Sequence, residues 1–434
     1  MNSLDTTANV PLTTVLMQKL PALLRMLGAS ILLIAMYSFL VKGWQDGNDI
    51  TRYLLMLAHT GVLACIGLFS GHWLKESKGA RLLLTLSLVS VTVNFSILGA
   101  LIYSQTGALA EQYPGYVAWT SGSLQTALTT TAGSLLVLVP TTFLGFMVLA
   151  RGMSRKLGMI FLLSNAALLL PLRDTGSIGL LLLALTFSAL LLTRRISRKT
   201  VEAKTYNGML ALALQFMPIG VLFGRTLWLY STDTFLLAVL MFTLFILLRQ
   251  ISRMLENKTG VYHFLNGLSL LPAALMTPLL IDSFDSIQMF NALIIPFAFS
   301  ISAAMFYDVS RRKLAFAKPV RWISGIIMLF GMGLNMMLHD GFIVSFIAIV
   351  TGIFMTVMGY SEKQRSLFIS GLVISILGLF GQLYDLFQHF TLESWAGLAV
   401  LGVSIIIVAS AIDARGRQIQ ERLMKWKTSF KEWE

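Results

Sequence analysis

The chain has 434 residues, of which 56% are hydrophobic and only 12% are charged, compared with roughly 25% charged in an ordinary soluble domain. Together with a mean hydropathy of +0.77, this composition excludes a water-soluble globule, because too little polar surface is available to cover an apolar core. The formal net charge of +13 comes from basic residues between apolar runs, which indicates membrane topology and not nucleic-acid binding.

The N-terminal segment lacks a charged region directly followed by an apolar core and a small-residue cleavage site. We therefore expect no removable signal peptide, and we expect the first apolar run to stay in the protein as an anchor. The single cysteine, Cys65, lies inside an apolar run, which excludes an intrachain disulfide framework and a cysteine metal cluster.

Apolar runs of about membrane-spanning length recur from end to end, and they predict an all-α integral membrane protein, a polytopic bundle of about fourteen transmembrane helices. The fifth and eighth runs are short for a span. The predicted spans are 22–41, 53–74, 82–104, 127–150, 157–172, 176–193, 207–230, 234–248, 263–281, 288–307, 320–338, 341–360, 366–386 and 394–412.

Basic residues alternate along the connections between these spans. Of the 33 Lys and Arg residues, about 29 fall in every second connection or in the two termini, and the exceptions are Lys42, Arg52, Arg173 and Arg225. The remaining connections are acidic or neutral. An even number of spans with both termini in the cytoplasm is predicted, and the basic connections are expected to contact anionic lipid headgroups. Asp308, beside Arg311 and Arg312, is interpreted as a local ion pair.

The predicted domain organisation has three parts: a cytoplasmic N-terminal segment (1–21), the transmembrane domain (22–412) and a basic tail helix (413–434). In the tail, apolar residues recur at helical spacing between Arg and Lys. This pattern indicates an amphipathic helix in the inner headgroup plane, or alternatively a docking helix for a membrane or cytoplasmic partner. Its apolar stripe is Ile419, Leu423, Trp426, Phe430 and Trp433.

Within the spans, no acidic or basic residue must lie at the bilayer midplane, and the deep polar groups are amides. Interhelical hydrogen bonding explains such amides, and a polar lining of a substrate path is the alternative interpretation. Prolines within spans favour kinks that expose carbonyl groups. The candidate path residues are Asn94, Asn165, Gln215, Asn291 and Asn335, with Arg225 and Asp385 near span ends, and the span prolines are Pro140, Pro218, Pro272, Pro278 and Pro296.

Catalytic and metal sites are not predicted. His59 and His72 share the second span but face directions roughly 140° apart, which excludes a shared haem or metal site. The chain carries no nucleotide-binding, HExxH or GxSxG motif and implies no cofactor. Asp46 and Asp49, in the first outer connection, are the residues that a lipid-linked glycosyltransferase would use, and a solvated turn is their alternative interpretation.

Three functions fit these features. The first is a transporter or flippase of a small or lipid-linked substrate, based on the number of spans, the prolines and the neutral polar lining. The second is a non-catalytic membrane scaffold or accessory subunit that recruits partners through the basic connections and tail. The third is a membrane transferase acting at the outer face, and we favour a role that is not enzymatic. The basic alternation, the lone cysteine and the absence of an outward Asn-x-Ser/Thr sequon fit a bacterial inner membrane.

Overall fold

The computed structural model describes residues 12–41, 48–73, 77–106, 119–229, 233–284, 291–312 and 314–389. Within these ranges the chain is helical and contains no strand. The chain divides into two compact units, Met1–Thr232 and Asp233–Glu434.

Unit 1 is organised around α3, which packs against α1, α2, α4, α5 and α8. Small residues allow this close packing: a Cβ atom on Gly99 of α3 would collide with the Leu168 carbonyl oxygen, and one on Gly145 would meet the Leu88 side chain. The helices are α1 (Leu12–Val41), α2 (Asp49–His72), α3 (Ser77–Thr106), α4 (Leu124–Leu149), α5 (Ser154–Ala166), α6 (Thr175–Lys199), α7 (Tyr206–Leu214) and α8 (Met217–Leu229).

Unit 2 has its most extensive helix contact between α14 and α15, followed by that between α12 and α13. Its core contains buried Met328, Met332, Ala348 and Ile374, which come from three helices. The helices are α9 (Thr234–Met254), α10 (Thr259–Leu268), α11 (Leu270–Phe284), α12 (Asn291–Ser310), α13 (Ala317–Leu338), α14 (Phe342–Ser361) and α15 (Arg365–His389).

Glycines bring the backbones of α14 and α15 into contact. A Cβ atom on Gly371 would lie 2.7 Å from the Gly352 carbonyl oxygen, and one on Gly378 would lie 2.9 Å from that of Ser345. Glycines spaced seven residues apart on one helix lie on the same face, because seven residues make nearly two turns. Gly352 on α14 therefore lies against Gly371 on α15, while Gly359 lies against the Phe368 backbone and Gly378 against the Ser345 backbone.

Prolines mark two interrupted spans. Pro218 is the second residue of α8, directly after the break from α7, and Pro272 is the third residue of α11, after the break from α10. Proline fits the first turn of a helix, where the amide hydrogen has no helical acceptor, but it disrupts a helix interior. The predicted seventh and ninth spans are therefore each built from two helical pieces.

The described residues contain ten helices that are long and apolar enough to cross a membrane, when α10 and α11 are counted together as one span, Thr259–Phe284. An eleventh is present if α7 and α8, bent by 42°, form one broken span. Judged by helix length and apolarity, the described residues do not reach the predicted count of fourteen spans. The apolar part of α1, Leu23–Met36, is short, and α5 has 13 residues. The predicted span 394–412 lies outside the described residues, as do the 413–434 tail and the first eleven residues of segment 1–21.

Acidic and polar residues of the connections begin several helices. The Asp174 carboxylate accepts the Ser177 amide at 2.8 Å and caps α6, and Asp233 accepts the Leu236 amide at 2.7 Å and caps α9. The Ser177 amide hydrogen bond also lowers the pKa of Asp174 below its ordinary value. Some acidic residues of these connections thus have a local structural role.

Candidate functional site

Unit 2 contains an apolar pocket of about 520 Å³ formed by helices α11, α12, α13 and α14. Its walls are almost entirely hydrocarbon, and Pro296 of α12 lies in the wall. Leu293 and Phe297 are exposed at the helix surface, so the pocket is accessible from beside the helices. The lining residues are Phe284, Leu293, Ile294, Pro296, Phe297, Ser300, Met332 and Thr351.

Among the described residues that line the pocket, the polar side chains are those of Ser300 and Thr351, and both are hydroxyls. The Ser300 hydroxyl donates to the Pro296 carbonyl oxygen at 2.6 Å, so it contributes little free polarity. The volume is in the range of pockets that bind small molecules. Helices α12, α13 and α14 are each long and apolar enough to span a membrane, as α11 is together with α10. The apolar walls of the pocket match a hydrocarbon chain.

A buried amide that is not itself a lining residue lies close to this pocket. Asn335 lies one helical turn beyond Met332 on α13, and its Nδ2 donates to the Ala292 carbonyl oxygen at 3.1 Å, beside the lining residue Leu293. Asn335 is 1% exposed, and its Oδ1 has no hydrogen-bond partner among the described residues. This oxygen is an acceptor that a ligand hydroxyl or amine could satisfy.

The other predicted path residues of unit 2 are placed differently. Asn291 is the first residue of α12, adjacent to Ala292, so its backbone lies near Asn335. Asp385 is half-buried in the last part of α15. The structure therefore brings the predicted Asn335 and the start of α12 together at the pocket.

Three predicted amides lie in unit 1, and all are buried. Asn94 Nδ2 donates to Thr60 Oγ1 at 2.7 Å, Asn165 Nδ2 donates to the Phe161 carbonyl at 2.7 Å, and Gln215 Nε2 donates to the Leu157 carbonyl at 3.2 Å. No hydrogen bond joins one of these three amides to another among the described contacts. The side-chain oxygens of all three lack a partner within the described part of the chain.

Arg225, the remaining predicted path residue, is half-buried in α8, one turn before the end of that helix at Leu229. The tail residues of the predicted interfacial stripe lie outside the described ranges.

A charged cluster lies where α9, α10 and α12 meet in unit 2. The sequence predicted only its local ion pair at Asp308. Asp308 Oδ1 accepts Arg249 Nη2 at 2.6 Å, and Asp308 Oδ2 accepts Arg312 Nη2 at 2.6 Å. Arg312 Nη1 also donates to Asn266 Oδ1, which accepts Ser252 Oγ at 3.3 Å. The expected local pair with Arg312 is present, whereas Arg311 pairs with Glu362 at 3.6 Å. Arg249 is 59 positions away from Asp308, and no spacing rule connects the two.

In unit 1, Asp49 links α2 to the segment before α4. Its Oδ2 accepts the Thr120 amide at 2.7 Å and the Thr120 hydroxyl at 3.0 Å. The Arg52 guanidinium lies 4.2 Å from the centre of the Trp119 ring and 4.0 Å from Asp49 Oδ1. Asp49 thus connects two segments of unit 1 by hydrogen bonds. Asp46, the other aspartate of the transferase hypothesis, lies outside the described residues.

The described residues contain no group of three or more His, Cys, Asp or Glu side chains that could hold a metal ion. The many long apolar helices define the class of this chain: it is a multi-pass α-helical membrane protein. No known protein family, curated protein or solved structure gives a significant match to it.

Proposed function

We propose that the protein is a transporter or flippase that moves a small or lipid-linked amphipathic substrate between the two sides of the membrane. The observation that carries this proposal is the apolar pocket of unit 2. Nearby, the buried Asn335 oxygen has no hydrogen-bond partner among the described residues. A hydrocarbon chain fits the walls, and a hydroxyl or amine near that chain would satisfy the amide.

The proposal includes the finer topology: fourteen spans, both termini in the cytoplasm, and a bacterial inner membrane. Support for this arrangement comes from the alternation of basic connections. Anionic lipid headgroups are then the partners of the basic connections and of the tail 413–434.

In this proposal each unit contributes its own polar path residues: Asn94, Asn165, Gln215 and Arg225 in unit 1, and Asn291, Asn335 and Asp385 in unit 2. Each of the three unit 1 amides has a buried oxygen without a partner in the described ranges. Leaving such a group unsatisfied costs about 1–3 kcal/mol. In this proposal a polar group of the substrate, or a water molecule, supplies the missing donor.

A second candidate function, recruitment of a membrane or cytoplasmic partner, is supported by the amphipathic stripe Ile419, Leu423, Trp426, Phe430 and Trp433. Deletion of residues 413–434 tests it. The scaffold function predicts that a co-purifying protein is lost on deletion while the truncated chain still accumulates in the membrane.

The transport proposal is tested in proteoliposomes that contain phosphatidylglycerol or phosphatidylethanolamine with a fluorescent nitrobenzoxadiazole (NBD) label. External dithionite destroys the label only on lipids in the outer leaflet. A flippase moves labelled lipids from the inner to the outer leaflet, so the fluorescence that was protected inside also decays. We expect protein-dependent decay that is slowed about tenfold by Thr351→Trp, which fills the pocket.

Val350→Trp is the matched control, because Val350 is the neighbouring residue of α14 and is exposed rather than part of the pocket. Its rate should stay within about twofold of the parent. Equal slowing by both substitutions, or no protein-dependent decay with either lipid, would contradict the proposal.

A further inference from the structure

The Arg249–Asp308–Arg312 cluster holds more positive than negative charge. Two guanidinium groups share one carboxylate, and each lies 2.6 Å from a different oxygen of Asp308. The nearby carboxylate of Glu362 is paired with Arg311. The cluster of Arg249, Asp308 and Arg312 therefore has a formal charge of +1.

This excess charge is largely removed from solvent. The side chains of Arg249 and Arg312 are 16% and 11% exposed, and the Phe245 ring lies 5.7 Å from the Arg312 guanidinium. A charge withdrawn from water is costly unless an opposite charge accompanies it. A second anion at this position would balance the charge of these three side chains.

The cluster is also preorganised for an anion with several oxygens. Asn266 Oδ1 accepts a hydrogen bond from Arg312 Nη1, and Asn266 Nδ2 donates to the Tyr262 carbonyl oxygen at 2.7 Å. These bonds fix the orientation of the amide and, through it, of the guanidinium. Arginine presents a planar fork of donors that matches phosphate oxygens.

The position of the cluster along the helices indicates that this phosphate belongs to a lipid headgroup. Arg249 directly follows the apolar run 234–248 of α9, and Arg312 comes two residues after the end of α12 at Ser310. Both α9 and α12 are long and apolar enough to span a membrane. Charged groups at the ends of such spans lie at the level of the lipid headgroups.

We propose that Arg249 and Arg312 bind the phosphate group of an anionic phospholipid at this end of unit 2. Asp308 spaces the two guanidinium groups and competes with the lipid for their donors. This site is separate from the apolar pocket, and it holds whether or not the protein transports a substrate.

The test is native mass spectrometry of the full-length protein, released from nanodiscs that contain equal amounts of phosphatidylglycerol and phosphatidylcholine. The parent protein should retain phosphatidylglycerol preferentially. Arg249→Gln and Arg312→Gln should each lower its occupancy about tenfold, because each removes a charged hydrogen-bond donor. Asp308→Asn should raise the occupancy, since it removes the competing charge.

Arg311→Gln is the matched control: Arg311 neighbours Arg312 in sequence but is 56% exposed and pairs with Glu362. It should change the occupancy less than about twofold. Arg249→Lys keeps the positive charge but loses the planar guanidinium, so this variant should bind phosphatidylglycerol with intermediate occupancy. It provides a test even if a glutamine variant fails to fold. Size-exclusion chromatography identifies the folded variants.

Adding an excess of inorganic phosphate distinguishes the two possible ligands, the phosphate of a lipid headgroup and free phosphate. A lipid site should retain phosphatidylglycerol in its presence, because the lipid is already concentrated in the bilayer. Full displacement by phosphate would overturn the lipid assignment. The proposal is also overturned if the parent shows no lipid preference, or if folded Arg249 and Arg312 variants bind like the Arg311 control.

Discussion

At the scale of single residues, Lys363 is the clearest case of local strain. It lies just beyond α14 with φ of +54°, and among the described residues it is the one non-glycine with positive φ. The Gln364 amide donates to the Gly359 carbonyl at 2.8 Å, and that of Lys363 donates to the Tyr360 carbonyl at 3.3 Å. These two bonds form the Schellman motif, in which glycine is preferred at the left-handed position.

Lys363→Gly should therefore increase the free energy of unfolding by about 1 kcal/mol, because glycine adopts positive φ without steric conflict. The measurement is unfolding in mixed detergent micelles with increasing dodecyl sulfate. Lys363→Ala removes the charge but retains the strain, and it should give no increase. An equal gain from both variants would show that the charge of Lys363, and not its backbone conformation, is responsible.

Residue-level prediction from sequence succeeded where partners are close along the chain. The pair of Asp308 with Arg312 follows from their four-residue spacing, which brings the two side chains about one turn apart where α12 ends. Arg249 could not be assigned to the same carboxylate, because its approach depends on how α9 and α12 pack. Asn335 was predicted as a polar path residue, but its position beside an apolar pocket depends on the packing of α12 against α13.

At the scale of elements, apolar run length predicts helix positions well and helix breaks poorly. Predicted spans 320–338 and 341–360 coincide with α13 and α14 within three residues. Predicted spans 207–230 and 263–281 are each two helices, although the prolines responsible are visible in the sequence. A proline within an apolar run permits either a kink or a break, and the choice depends on neighbouring helices.

The α14–α15 contact gives a prediction at this scale. Gly371→Ala should lower the free energy of unfolding by about 1–3 kcal/mol, because the new methyl group would lie 2.5 Å from the Thr356 amide nitrogen and 2.7 Å from the Gly352 carbonyl oxygen. These are backbone atoms and cannot rotate away. The same dodecyl sulfate titration measures the loss.

Gly333→Ala on α13 is the control, since a Cβ atom there meets nothing within 4 Å. Alanine is the better helix former, so this change should leave stability unaltered or raise it by up to about 1 kcal/mol. A loss at Gly333 comparable to that at Gly371 would show that helix packing is not what the Gly371 substitution disturbs.

At the scale of the whole molecule, some connections that are predicted to lie on the same side of the membrane contact each other within each unit. In unit 1, Arg81 at the start of α3 donates to Asn207 Oδ1 at 3.3 Å, and Glu202 accepts the Gly152 amide at 2.9 Å. In unit 2, Arg311 and Glu362 join the ends of α12 and α14. Connections predicted to share one side of the membrane thus contact each other inside each unit, as charge alternation indicates.

Cysteine accessibility tests the proposed topology in a Cys65→Ser background. Single cysteines replace Asn2, Asp340, Lys363 and Glu434, and a membrane-impermeant maleimide is added to intact cells. With fourteen spans and cytoplasmic termini, only the Asp340→Cys protein should be labelled before the cells are opened. Labelling of exactly one terminus would show an odd number of spans, and labelling of both would invert the topology.

The contact between α14 and α15 also bears on how this membrane protein is made. Only three residues separate Ser361 from Arg365, and the two backbones touch along the glycine faces. Helices joined so closely leave the insertion machinery one directly after the other. The second helix can then find its partner before lipid surrounds it, so the pair enters the bilayer as one hairpin with its register already set.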